Sequence, residues 1–469
     1  MIEHKKAIKH GAKWTFVGYI AQKTVVFAVG IVLARILDPM DFGLLGMIMV
    51  FVNLFDIIVD SGFGYVVVRY RNIDRKILDS ILTLNVLLGI ICFILLNITS
   101  DYIAIFFREP KLQSLILPIS FLLLINAFKI VPFNLNVRNL LFKERSKIDV
   151  VSAIASGILG ITLAYNDFGV MSLIYQILFA NLLSTSLHNF ISDHKINFFM
   201  DRTSVNMIWK RSHKIFSESI TSTIFNNLNK IIIGRYFSAQ LLGFYTRGHS
   251  FPSFTQKAIV QVVQKSIFPV YAKIEDGNEV NFIARKTIRT LCIIYMPIIL
   301  VLAAISKNLI LLLLTVKWEE SIFFAQILAI ASSLFAPQMV LRNVLKSRND
   351  KSFLISENTS KVTRLILLIG LIPFGIKWVI IGQVINGVIT LLVSGYFTKK
   401  EIGYTLTEQF ADYGSLFFMA ILLALPSFLL DYLLDFSYVI ELAIQLITFS
   451  VLYLLYLKFK RFNIIKIFT

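Results

Sequence analysis

The stretch 78–98, LDSILTLNVLLGIICFILLNI, carries one charged residue, Asp79, in a run long enough to cross a bilayer as a helix. Outward from it, similar apolar blocks recur along the whole chain of 469 residues. Apolar residues make up 57% of it and charged residues only 16%; mean hydropathy is +0.74. A soluble domain of this length would lack the polar surface to cover itself. The chain therefore reads as an all-α polytopic membrane protein. A secreted protein, a nucleic-acid enzyme and a two-domain cytosolic enzyme are excluded. The net charge of +18 would suggest nucleic acid in a soluble protein. Here it matches the excess of Lys and Arg that membrane proteins carry in their cytoplasmic loops.

Fourteen helices are expected, at about 14–36, 42–69, 78–98, 112–131, 148–165, 168–190, 215–237, 249–272, 287–306, 321–341, 362–376, 378–397, 413–431 and 437–457. Pro118, Pro252, Pro297, Pro373 and Pro426 interrupt several, as spanning helices tolerate. The loop cations divide roughly four to one between the two sides. Lys5, Arg69, Arg138, Lys143, Arg145, Lys195, Arg285, Arg342, Arg364 and Lys399 fall on the rich side. Arg35, Arg108, Arg235 and Lys307 fall on the poor one. That alternation expects both termini in the cytoplasm. The basic start, MIEHKKAIKHGAK, runs into a full-length span with no small-residue cleavage site, so it does not read as a removable signal peptide. Cys92 and Cys292 lie inside apolar runs and read as small hydrophobes. No outward loop is long enough for a soluble domain, so any activity must reside in the bundle.

The chain also repeats itself. Shifted by 200 positions, Ala34-Arg35-Ile36-Leu37 faces Gly234-Arg235-Tyr236-Phe237, and Gly43 faces Gly243. Shifted by 204, Arg138-Asn139 faces Arg342-Asn343. Two copies of a six-helix unit are expected: residues 1–194, helices one to six, and 195–397, helices seven to twelve. Residues 398–469 add two helices. Copies with an even number of spans share one orientation, related by a pseudo-two-fold axis along the membrane normal, as in transporters that rock two lobes about a central site.

At Leu33-Ala34-Arg35-Ile36-Leu37-Asp38-Pro39-Met40-Asp41-Phe42-Gly43-Leu44-Leu45 the chain resembles oligosaccharide (Wzx-type) flippases. These belong to the multidrug/oligosaccharidyl-lipid/polysaccharide exporter superfamily. Asp60-Ser61-Gly62-Phe63-Gly64, Arg138-Asn139-Leu140-Leu141-Phe142-Lys143, Phe168-Gly169-Val170-Met171-Ser172-Leu173 and Ile233-Gly234-Arg235 resemble the same group. Relatives often place an Asp just before the last of these; here Asn229-Lys230 stands there, and any role of that acid is in doubt. The resemblance covers the first twelve helices. It implies a flippase that moves undecaprenyl-diphosphate-linked oligosaccharide from the cytoplasmic to the outer leaflet of a bacterial inner membrane. The glycan would feed O-antigen, capsule or a similar surface polymer. Partners implied are the lipid-linked oligosaccharide, the bilayer, and a polysaccharide polymerase with its chain-length machinery. No nucleic acid, metal, cofactor or catalytic residue is expected. Alternatives are a peptidoglycan-precursor flippase, a drug exporter of the same superfamily, and an enzyme, namely a polysaccharide polymerase or ligase.

In such flippases cavity cations hold the diphosphate. By that resemblance Lys23, Arg35, Lys230, Arg235 and Lys257 are the candidates, since phosphate favours Lys and Arg as charge-assisted donors. Lys23 lies about nine residues, or ~14 Å, up the first helix, too deep to snorkel easily. It can instead pair with Asp56. Arg35 and Arg235 can snorkel to headgroups or brace a loop, and Lys257 and Lys265 can snorkel to the cytoplasmic side. Asp56 and Asp60, four apart on one helix face, can couple transport to Na⁺ or H⁺, or simply neutralise Lys23 or Arg69. Asn85, Asn126, Asn227, Asn229 and Gln256 add uncharged polarity for a sugar-lining lumen or for interhelical hydrogen bonds. Trp209, Lys210, Arg211 and His213 fit an interfacial amphipathic segment between the two units.

Overall fold

The computed structural model describes residues 2–70, 73–433 and 436–459. The fourteen expected spans all fall in helical stretches, but 42–69 is divided by a turn at Ser61-Gly62, 321–341 is divided between two helices, and 362–376 runs past the end of its helix at Leu371. The order is α1 (Ile2–Ile36), α2 (Pro39–Asp60), α3 (Phe63–Arg69), α4 (Arg75–Ile98), α5 (Ser100–Phe107), α6 (Lys111–Arg138), α7 (Phe142–Tyr165), α8 (Val170–Ile191) and α9 (Arg202–Tyr236). Then come α10 (Ala239–Lys273), α11 (Gly277–Ala304), α12 (Ser306–Leu314), α13 (Ser321–Ser333), α14 (Phe335–Arg348) and α15 (Asp350–Leu371). The last are α16 (Ile376–Ile402), α17 (Leu406–Gln409), α18 (Ser415–Leu433) and α19 (Tyr438–Phe459). Lipid offers no partner for an open backbone group, and an all-helical chain satisfies those groups within each segment.

Among the described residues, 11 helical segments are long and apolar enough to cross a membrane. The three expected spans outside that group, α9, α10 and α15, are long helices carrying Asn, Gln, Lys and Arg along their length. A helix of that composition needs a wet or polar flank in a bilayer.

The chain divides into two compact units, Met1–Gly243 and Phe244–Thr469. The first therefore keeps α9 beside α2. The repeat read from sequence restarts earlier, near residue 195. In this unit α1 lies along α7, where small residues allow the backbones close: Gly18 sits against Ser146 and Gly157 against Val29. Ser146 Oγ donates to the Trp14 carbonyl at 2.9 Å. A core of Phe63, Val67, Ile81, Leu82, Val131 and Ile208 ties α3, α4, α6 and α9 together.

The first-loop motif is a helix start. Asp38 is extended, Pro39 takes the first helical position, and the Asp38 N–H donates to the Asp41 carboxylate at 3.2 Å. Two hundred residues on, Ser238 plays the same part at α10, its Oγ accepting from the Leu241 N–H at 3.1 Å. The two helix starts then touch reciprocally. A Cβ on Gly43 would strike the Ala239 carbonyl, and a Cβ on Gly243 would strike the Pro39 carbonyl. Residue i meeting j while the equivalent of j meets the equivalent of i is what a local two-fold produces. The reciprocity is local to these two helix starts.

The second unit is built on α11, whose Cys292, Tyr295, Met296 and Ile299 pack with Val340, Leu341, Tyr404 and Tyr413. Its charged lock is Asp412, in a single π-helical turn at Phe410–Gly414. The Asp412 side chain is 0% exposed. It accepts from Arg285 Nε at 2.9 Å, Arg289 Nε at 2.6 Å and the Tyr404 hydroxyl at 2.9 Å. Arg285 also pairs with Glu408. Deeper in the unit, Asn308 donates to Gln445, and Gln445 and Ser427 exchange hydrogen bonds with each other's carbonyls. The two C-terminal helices are thus fastened to α11 and α12 by buried polar contacts as well as by packing.

Substituting either glycine by alanine should overpack a contact with backbone, which cannot rotate away. Gly43→Ala and Gly243→Ala are each expected to cost about 1–3 kcal/mol, read as lowered melting temperatures of the detergent-solubilised protein. Asp412→Ala strands two guanidinium groups and a phenol, and is expected to cost about 2–3 kcal/mol; Asp412→Asn should cost less. Unchanged melting in these variants would contradict the packing described.

Candidate functional site

The charges that matter lie on helices of the first unit. Lys23 is half-buried on α1, its Nζ 5.6 Å from the Tyr19 ring centre. It acts electrostatically on Asp149 of α7. Asp56, on α2, accepts from Asn126 Nδ2 of α6 at 2.8 Å. Lys129, three residues after Asn126 on α6, interacts electrostatically with both Asp56 and Asp149. Lys129 Nζ lies 5.8 Å from the Phe133 ring centre and the Arg145 guanidinium 4.2 Å from it. Arg145 Nε is 3.9 Å from Asp149 Oδ2, with the two side chains 30% and 24% exposed. Behind them His188 of α8 is buried edge-on to Phe133, 5.2 Å between ring centres. Asn136 Nδ2 meets His188 Nδ1 at 3.0 Å. Helices α1, α2, α6, α7 and α8 thus converge on one acid–base cluster.

Asp60 ends α2 and serves the turn into α3. Its Oδ1 accepts the Gly64 N–H at 3.2 Å. Ser61 and Gly62 adopt left-handed φ of 45° and 73°, and a Cβ on Gly64 would meet the Asn134 amide. The Asp-Ser-Gly-Phe-Gly motif is therefore a tight turn whose acid caps the next helix. Asp56 and Asp60 share a face of α2 but have different neighbours.

Arg35 is exposed at the end of α1. Lys230 is half-buried on α9. Arg235, also on α9, donates through Nη1 to the Phe106 carbonyl at 2.6 Å and covers the Phe106 ring at 5.3 Å. Arg235 thus braces α5, one of the two roles open to it from sequence. Lys257 is exposed on α10, in the second unit. Lys265 lies outside the residues whose side chains are described. The Trp209–His213 segment continues without a break into α9, with Arg211 over the Tyr70 ring at 4.4 Å.

Sequence reading missed the part played by Arg145, Asp149 and Phe133. It starts the fifth span at about 148 because a hydropathy window slides past charges, whereas α7 begins at Phe142. The signal was available: Arg145 and Asp149 are four apart, helical neighbours of opposite charge. The same displacement occurs in the second unit. Arg342, Lys361 and Arg364, expected in a basic loop, are on α14 and α15, where Glu357 pairs with Arg342 and lies 3.9 Å from Lys361.

A surface recess on the basic-loop side is lined by Asp74, Lys76, Ile77, Phe199, Asp201 and Ser204. Both of its carboxylates are helix caps. Asp74 accepts from the Ile77 N–H at 2.9 Å, and Asp201 from the Ser204 N–H and hydroxyl, each at 2.9 Å. Hydrogen bonds from Thr203 and Ser204 hold the Asp201 carboxyl down at about 2.

Sequence comparison matches residues 32–323 to the family described as "Polysaccharide biosynthesis protein". The "Lipopolysaccharide biosynthesis protein WzxC" of Escherichia coli (strain K12) is 25% identical over 440 residues, 90% of this chain and 87% of that one. An "Uncharacterized membrane protein in cps region" of Klebsiella pneumoniae is 26% identical over 455 residues, covering 91% and 88%. Among solved structures, "Lipid II flippase MurJ, inward closed conformation" superposes with a TM-score of 0.78 at 13% identity, covering 95% of this chain and 98% of that one. At that identity the likeness is one of fold.

Because the Asp201 carboxyl titrates lower folded than unfolded, its capping advantage is present above about pH 4 and lost as pH falls through about 2. Asp201→Ala should speed amide exchange in the first turn of α9 at neutral pH. Asp201→Asn, itself a good cap, should largely preserve protection. Equal exchange in the wild type and Asp201→Ala would contradict the cap.

Proposed function

We propose, from the premise that this chain belongs to the polysaccharide biosynthesis protein family, that it is a transporter and not an enzyme: a flippase for undecaprenyl-diphosphate-linked oligosaccharide. It works in the bacterial cytoplasmic membrane with both termini inside, and supplies glycan for a surface polysaccharide. The observation that carries this is the family match over most of the chain, joined to cations held on spanning helices of the first unit. A protein that moves an anionic lipid headgroup through hydrocarbon must replace the water around its phosphates. Lys and Arg on spanning helices do so at least cost when they stand ready.

In this reading Lys23, Arg35, Lys230 and Arg235 of the first unit and Lys257 of the second receive the diphosphate. The two six-helix repeats, 1–194 and 195–397, are the moving parts of alternating access, and residues 398–469 are an accessory pair. The polyprenyl tail stays in lipid. Asp56, with Lys129 near it, is a better candidate than Asp60 for coupling to Na⁺ or H⁺, because Asp60 is engaged in a turn. Polymerase and chain-length machinery would take the glycan on the outer side. The polar asparagines fit a saccharide better than an apolar drug.

Translocation of a lipid-diphosphate oligosaccharide into the outer leaflet of proteoliposomes tests the function. Lys23→Ala is expected to slow it at least tenfold, about 1.4 kcal/mol. Arg235→Ala should slow it too, with Arg235→Lys intermediate because the brace to Phe106 is partly kept. Full activity in both alanine variants would remove the cation assignment, and absence of transport by the wild type would remove the function. Orientation is read separately. In a cysteine-free background, Arg108→Cys should react with a membrane-impermeant maleimide in whole cells and Lys143→Cys should not; the reverse pattern would invert the topology.

A further inference from the structure

Lys129, Phe133, Arg145 and Asp149 are given no part in diphosphate binding above, yet among the described residues they gather two cations and a carboxylate about one ring. Three features set it apart from a structural ion pair. The Arg145–Asp149 contact is long, 3.9 Å, and the two side chains remain 30% and 24% exposed inside a spanning segment. Charges pointed at lipid are strongly disfavoured, so partly exposed charged side chains gathered from α6 and α7 call for a polar ligand or water beside them. Both cations hold the Phe133 ring, at 5.8 and 4.2 Å, which fixes their positions without saturating their hydrogen-bond donors. Beside them, the buried His188 Nε2 and Asn136 Oδ1 make no hydrogen bond within the chain, an unmet polar demand next to the cations.

The cluster also lies at a definite depth. Arg145 is in the first turn of α7, and Lys129 is nine residues before the end of α6 at Arg138, ~14 Å along the helix. Arg138 at the end of α6 and Lys143 and Lys147 at the start of α7 make the same end of this helix pair basic. A phosphate arriving from that side meets Arg145 first and Lys129 about two turns later.

We propose that Lys129 and Arg145, both set over the Phe133 ring, form a loading station for an isoprenyl diphosphate, and that Asp149 is the carboxylate Arg145 relinquishes when the phosphate arrives. Asp149 holds the guanidinium in place when the station is empty and competes with phosphate for it. The ligand class rests on the flippase reading above; the station itself is a diphosphate site whether or not the bound lipid is then moved.

The opposed signs of the two partners provide the test. Farnesyl diphosphate is titrated by calorimetry into the purified full-length protein in detergent. Arg145→Gln and Lys129→Gln should each weaken binding at least tenfold, Arg145→Lys should recover part of the loss, and Asp149→Asn should tighten binding several-fold. A merely structural pair would make Asp149→Asn and Arg145→Gln change binding in the same direction. Where a glutamine variant fails to fold, Asp149→Asn against wild type decides alone. The proposal is overturned if the wild type does not bind farnesyl diphosphate, if both glutamine variants bind as the wild type does, or if Asp149→Asn weakens binding. Inorganic pyrophosphate binding as tightly as farnesyl diphosphate would assign the site to soluble diphosphates and overturn the loading role. Wild-type protein that shows this pattern of binding but transports no lipid-linked oligosaccharide keeps the station and removes the flippase reading.

Discussion

A charge carried into hydrocarbon costs about 3 kcal/mol on insertion scales, and every open backbone group adds to that. That penalty dictates most of what this chain does. It confines the backbone to helices. It sends most cations to the loops and helix ends on one side. It forces those that stay, Lys23, Lys129 and Arg145, to gather with Asp56 and Asp149 among four helices of the first unit. The same rule governs the second unit, where buried Asp412 is matched by two arginines and a tyrosine. The two clusters differ in one respect. Asp412 is fully enclosed and its contacts are short, whereas Asp149 is partly open and its contact with Arg145 is long. The first arrangement holds helices together; the second leaves charge available.

Helices that carry such residues are visible by what they lack. The α9, α10 and α15 segments are long but fall outside the apolar spans. Two of them open the second six-helix unit expected from sequence. The first helix of each repeat thus differs in character: α1 is apolar over its outer half, while α9 presents Asn226, Asn227, Asn229 and Lys230 in succession. The helix starts at Gly43 and Gly243 share a reciprocal contact, whereas α1 and α9 differ in chemistry.

Much of the fold was legible in the sequence. The expected spans all fall in helical stretches, because long apolar runs have no other stable form in a bilayer, but the breaks inside 42–69 and 321–341 were not foreseen. The motif Asp38-Pro39-Met40-Asp41 was legible as a family mark but not as a helix cap, which needs the backbone to show it. The site was only partly readable. Depth along one helix singled out Lys23 as a candidate, but which side chains meet across helices depends on rotation about each axis, which hydropathy does not encode. Asp60 looked equivalent to Asp56 until Gly62 and Gly64 revealed the turn it serves. Arg145 and Asp149 were hidden because a helix carrying charge at its end resembles a loop when read by composition alone.

The central claim is that the cations within the first unit face water through which an anionic headgroup passes. Single cysteines at Lys23, Lys129 and Arg145, in a background without Cys92 and Cys292, report this directly. In proteoliposomes each should react with a water-soluble methanethiosulfonate reagent, and a lipid-diphosphate oligosaccharide should slow the reaction at all three. Cysteines that stay inert to the aqueous reagent would show dry, sealed charges and contradict the account.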